Sequence, residues 1–317
     1  MLSAIIFAFN ITAPNLILMA SGFLLKQKGV IDAGFVATAS DIVFKVALPC
    51  LLFLSVLNSD IHFYAQLDLL LAGICTTFLL YFLAEIYAKF FVQDICDKGV
   101  FVQGVFRSNM AIISLATVTN AYGETGLSVG AVYMGLITIL YNILAVITLS
   151  RTNTGQGFWQ KSLNILPKII KNPLIIALVS AFLYKAVNLP MPADFVLKTG
   201  RLFANIALPL ALICAGASIN AKSMFALTGV SMQASIGRIV VAPIAAVLIG
   251  FLFALEPVHF GVLFIMVSSP AAAASYVMAK AMGGNAILAA NILAFTTVFS
   301  MIGMAVGMAI LRILGWV

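Results

Sequence analysis

The stretch Val267-Ser268-Ser269-Pro270-Ala271-Ala272-Ala273-Ala274 decides how this chain is read, because it spells the start of a helix in the middle of an apolar run. Ser269 suits the N-cap, where a side-chain oxygen takes an amide hydrogen with no partner in a preceding turn. Pro270 suits the first helical position, where its missing N–H is not needed. Yet Phe260 to Val267 already form an apolar run long enough for about two helical turns. A helix therefore breaks and restarts here. In hydrocarbon a bare amide or carbonyl finds no water, so irregular backbone survives only where protein buries it or where it lines a cavity. The stretch marks either a binding site or an ordinary proline kink in a packed helix.

The rest of the sequence supplies the apolar surroundings. Of 317 residues, 63% are hydrophobic and 9% charged, which excludes an ordinary soluble domain and implies a polytopic membrane protein. A net charge of +7 would suggest nucleic acid in a soluble protein, but here the cations gather in short connections between apolar spans. That pattern reports topology, and no nucleic-acid partner is expected. The four cysteines lack paired spacing, so neither a metal site nor disulfides are expected.

Runs of about 20 apolar residues, enough to cross a core of about 30 Å, recur along the chain. They fall near 3–25, 33–57, 67–90, 99–121, 125–149, 172–189, 194–218, 226–254, 259–282 and 286–314. The odd-numbered connections hold most of the basic residues, among them Lys26, Lys28, Lys89, Lys98, Arg151, Lys168 and Lys171. Those connections are expected on the cytoplasmic side, which puts both termini outside.

The two halves repeat. Pro14, Ile17, Ser21, Phe23, Leu24 and Lys26 recur at an offset of 159 as Pro173, Ile176, Ser180, Phe182, Leu183 and Lys185. At an offset of 160, Lys45 to Pro49 match Asn205 to Pro209, and Gly123 matches Gly283. Each half holds five spans, an odd number, so the second must enter the membrane from the opposite side. The expected fold is an all-α membrane protein of ten transmembrane helices in two inverted five-helix repeats, 1–149 and 172–317, joined by a cytoplasmic linker at 150–171. Ser108 and Asn109 fall opposite Ser268 and Ser269, with Met110 opposite Pro270, so helices 4 and 9 are the interrupted pair. Such paired interruptions point to a carrier's site near the membrane midplane. Candidate substrate contacts are Ser108, Asn109, Ser268, Ser269, Pro270 and Ala271.

Asp41 and Lys45 lie four residues apart on one face of the second span. Ionisable groups at that depth are usually functional, although a self-neutralising pair that only anchors the helix is the alternative. Arg107, Arg201 and Arg238 add a cationic excess in or near spans, which suits an anionic substrate because a desolvated carboxylate needs compensating charge or donors. Each could instead reach out to headgroups. Asn205 either supports the site or bonds across helices. No zinc-hydrolase or serine-elbow motif is present, so an enzyme is not expected. A passive channel, or a sensor built on a transporter fold, is the competing function.

The order of these motifs resembles the auxin efflux carrier family of secondary transporters, which includes plant auxin exporters and bacterial carriers of malate or malonate. The matching residues are Pro14 to Lys26, Ala47-Leu48-Pro49, Gly104 to Asn109, Tyr122-Gly123-Glu124, Asn172-Pro173, Ala207-Leu208-Pro209, Ser269-Pro270 and Ala279-Lys280. The resemblance implies a homodimer in a bacterial inner membrane, with helices 1, 2, 6 and 7 as scaffold and helices 3–5 and 8–10 as a mobile transport domain. It further implies crossed helices 4 and 9 at the substrate and, near Asp41 and Lys45, charged residues that support it. The family pattern differs in one respect: Met110 stands where many relatives carry proline. Proton coupling and sodium coupling are both left open, and no other cofactor is expected.

Overall fold

The computed structural model describes residues 2–58, 66–152, 171–219 and 229–317, and among these its extended regular elements are all helices. Helix α1 is Leu2–Gln27, α2 is Ala33–Asn58, α3 is Leu67–Phe91 and α4 is Ile95–Phe106. Helix α5 is Met110–Leu149, α6 is Pro173–Ala186, α7 is Asp194–Ala217 and α8 is Gly229–Leu252. The last three are α9, Pro257–Ser268, α10, Ala273–Ala281, and α11, Ala286–Ile313. Seven helices, α1, α2, α3, α5, α7, α8 and α11, are long and apolar enough to cross a membrane, and α6 and α9 are shorter apolar helices. Large apolar side chains such as Phe9, Ile17, Phe90, Phe195 and Leu252 stand exposed around the outside, a surface suited to lipid rather than water. The protein is an integral, multi-pass membrane protein.

Helix starts follow local chemistry where the chain leaves the bilayer. The side chains of Asp32, Asp94, Asn172 and Asn285 each accept an amide hydrogen from the first turn of α2, α4, α6 and α11, and Pro173 opens α6. Asn285 also donates from Nδ2 to Asp97 Oδ1 at 2.8 Å, tying the start of α11 to that of α4. Most expected span limits agree with helix ends to within a few residues, but the limit expected between spans four and five, at 121–125, falls inside α5, and the start expected near 226 and the linker core at 153–170 lie outside the described residues.

Helix α7 packs on α1 and α2, α2 also packs on α6, and α1 also meets α5 and α11. The α1–α7 contact is close because Gly22 lies against the Ile213 carbonyl and Gly216 against the Met19 carbonyl, where a side chain would not fit. Helix α3 packs against α4, α5, α8 and α9. Three helices contain a π-turn: α2 at Val43–Ala47, α5 at Met110–Ser114 and α8 at Gly237–Val241. Helix α5 kinks at Gly123, whose φ of 60° and ψ of −144° leave the helical region, and Gly283 after α10 also has a positive φ, 78°. These are the two glycines that the sequence placed at the ends of spans four and nine.

Candidate functional site at a backbone crossing

The chain is non-helical twice in mid-span, at 107–109 between α4 and α5 and at 269–272 between α9 and α10, and the two extended segments cross. Asn109 N–H donates to the Pro270 carbonyl at 2.8 Å and Ala272 N–H to the Arg107 carbonyl at 3.1 Å, which pairs Ser108 with Ala271 as an isolated antiparallel bridge. Span four breaks without a proline. The facing segment supplies the hydrogen bonds that the helix gives up, so a helix-breaking residue is not required. On the other side of the crossing, Ala271 N–H donates to Thr296 Oγ1 of α11 at 3.2 Å, and the Asn109 carbonyl accepts from Ser114 N–H at 3.3 Å.

One local expectation is corrected. Ser269 does not cap the restarted helix, and Pro270 is not its first residue. Ser269 ends α9 with extended backbone (φ −67°, ψ 160°), while α10 starts at Ala273 with Ala272 in the capping position and no side-chain cap. Pairing with 107–109 holds Pro270 to Ala272 extended, so the long-range bridge overrides the local capping signal. Ser268 and Ser269 are fully buried, and their hydroxyls have no partner among the described residues. Neither lines either of the two cavities that flank the crossing.

Two cavities flank the crossing. One, of about 400 Å³, is bounded by α2, α7, α10 and α11 and lined by Ser40, Phe44, Ala211, Tyr276, Leu293 and Thr297 among others. The other, of about 850 Å³, lies between α5, α6 and α10 and reaches Asn142, Lys171 and Asn172. Asn109 and Ala273 line both, and Ser108 and Arg107 line the larger. Helices α5 and α10 begin at these walls, and the opening amides of a helix have no carbonyl in a preceding turn to bond. Ala273 and Ala274, the first two residues of α10, are exposed there. Two helix N-termini thus present N–H groups and positive dipole ends to one space.

Arg107 is 5% exposed and donates from Nη2 to Asn142 Oδ1 at 2.8 Å and from Nη1 to the Met278 sulfur at 2.9 Å. A thioether is a weak acceptor, so half of the guanidinium fork is poorly satisfied. No aspartate or glutamate lines either cavity among the described residues. The site is a cationic, donor-rich space with no counter-charge of its own.

The other charged candidates lie elsewhere. Lys45 Nζ donates to Asp41 Oδ2 at 2.5 Å, and the pair sits about two-thirds exposed on the outer face of α2. Their neighbours Ser40, Val43 and Phe44 line the smaller cavity, but neither charge does. Asn205 and Arg201 are exposed on α7 and line neither cavity. Arg238 is fully buried, yet it bonds the backbone of the crossing instead of facing the cavities. Of the three arginines, Arg107 alone lines a cavity at the crossing. Sequence reasoning missed Asn142, Lys171 and Tyr141, whose hydroxyl pairs with Ser108 Oγ at 3.1 Å. Nothing in their local pattern marks them as site residues.

A family profile described as a membrane transport protein matches residues 7–308. The chain belongs to this family, that of the auxin efflux carriers. The carrier is also similar to an uncharacterized transporter of Methanothermobacter thermautotrophicus, 23% identical over 293 residues that cover 91% of this chain and 93% of the relative. The family is one of transporters, and the crossing lies well inside the matched range.

Proposed function

We propose that this protein is a secondary active or facilitative transporter of a small organic anion, an auxin-like monocarboxylate or a dicarboxylate such as malate or malonate. One observation carries the reading. Arg107 and the N-terminal ends of α5 and α10 face a common cavity that no carboxylate lines among the described residues. Burying a carboxylate costs several kcal/mol unless donors and positive charge replace its water, and those groups are already in place. Asn109 and the opening turn of α10 contact the anion. Ser108, Ser268, Ser269, Pro270 and Ala271 shape the crossing behind them, and Arg107 supplies attraction from the wall.

The architecture in this reading is ten spans in two inverted repeats. The matched interruptions and the positive φ at both Gly123 and Gly283 support it. The packing of α7 on α1 and α2, and of α2 on α6, supports a dimeric scaffold against which the remaining helices move in an elevator-type cycle. With the basic connections cytoplasmic and the termini outside in a bacterial inner membrane, the larger cavity runs to Lys171 at the cytoplasmic end, and the conformation is inward-open. Asp41 and Lys45, with Asn205, act as charge support outside the contact shell. A thermal-shift and uptake screen of the purified protein against mono- and dicarboxylates, with and without sodium, tests the proposal. Saturable stabilisation by an acid that is also taken up supports it; a panel with neither effect refutes it.

A further inference from the structure

Breaking two helices in mid-membrane creates a problem at their C-terminal ends, opposite in sign to the one that the anion solves. The last carbonyls of α4 and α9 have no following turn, and each end carries partial negative charge. In carriers with broken helices such ends and freed carbonyls commonly hold a coupling cation. Here a side chain is in that place. Arg238 Nη1 donates to the Val105 carbonyl in the last turn of α4 at 2.8 Å, and Arg238 Nε donates to the Ser269 carbonyl at the end of α9 at 2.8 Å.

Several features position that guanidinium. Arg238 lies in the π-turn of α8, an insertion that shifts which residues face inward. The preceding Gly237 lets α8 approach α4, since a side chain there would meet Val105 Cγ2 at 2.9 Å. Arg238 is 0% exposed, forms no ion pair among the described residues, and its Nη2 has no partner. An arginine placed for a carboxylate or for headgroups would not be enclosed with only carbonyls to bond.

We infer that the Arg238 guanidinium is a tethered cation that fixes the C-terminal ends of α4 and α9 to each other, and that removing it opens a carbonyl site for a free monovalent cation. Arg238 is then a positioning residue for the crossing and touches no substrate. This does not depend on the substrate being an anion, and its test needs no substrate.

The purified full-length protein is melted in sodium chloride, guanidinium chloride at millimolar concentration, or choline chloride at matched ionic strength. The wild type should melt at the same temperature in all three. Arg238→Gln should melt several degrees lower in choline, and sodium or guanidinium should restore much of the loss in a saturable way. Arg238→Lys, which keeps the charge, should recover most of the stability and show no cation dependence, while Arg201→Gln, at an exposed position, should behave as wild type. A loss in Arg238→Gln that no cation reverses would reduce Arg238 to ordinary packing and overturn the inference. So would a saturable sodium effect on the wild type. If Arg238→Gln cannot be obtained folded, Arg238→Lys decides: a folded, cation-independent lysine variant supports the inference, and one that fails like the glutamine variant overturns it.

Discussion

Replacing Asn109 by alanine removes the one polar side chain that lines both cavities at the crossing. The change leaves the crossing's backbone intact, because the bond to Pro270 comes from the Asn109 amide, and alanine can adopt its φ of −84° and ψ of 68°. What is lost is a side-chain donor to a charged ligand, worth about 1.5 to 3 kcal/mol, or a roughly 10- to 150-fold weaker Kd. The matched control is Ser269→Ala. Its hydroxyl is buried, has no partner and lines neither cavity, so its removal should change Kd by less than about twofold and leave stability unchanged or slightly raised, since an unsatisfied buried group is lost. Isothermal titration with an acid identified in the screen, after melting curves show that both variants are folded, measures the difference. Equal affinities for wild type and Asn109→Ala would refute the assignment of the anion to the cavity faced by the starts of α5 and α10. A large loss in Ser269→Ala would show that the conformation that binds differs from this one.

Three further outcomes are expected. A cysteine at Lys171 should resist an impermeant thiol reagent added outside intact cells and react after permeabilisation; labelling from outside would invert the topology. Gly123→Ala should cost about 1 to 3 kcal/mol through backbone strain alone, because no atom stands near the added Cβ while the φ of 60° is unfavourable to it, and a melting temperature equal to wild type would contradict the kink. Asp41→Asn should leave substrate Kd within about threefold, because the pair lies outside both cavities and exposed ion pairs contribute at most about 1 kcal/mol; a larger loss would place the pair in contact with the substrate.

Features with a period or a composition were legible in the sequence. Span limits followed from apolar run length, the Asp41–Lys45 pair from four-residue spacing, and the turns at Gly123 and Gly283 from their matched positions. The crossing itself was legible as a place but not as a geometry. Ser269-Pro270 carries a strong local helix-start signal, and α10 nevertheless begins at Ala273, because Pro270 and Ala272 are paired with a segment some 160 positions away. Met110 gave no breaking signal, yet the helix breaks just before it for the same reason. Arg238 was visible only as a charge in an apolar run. Its role depends on two carbonyls from distant helices, and no spacing rule connects it to them.

The bridge between Ser108 and Ala271 is built from main-chain groups on both sides, so the cross at the centre of the protein does not depend on which side chains those positions carry. Side chains that face the cavities, Asn109, Ala273 and Ala274, project from a frame that their replacement leaves standing. If the crossing holds the substrate, as proposed, a lineage can change its cargo by exchanging a few letters there, without relearning how to fold.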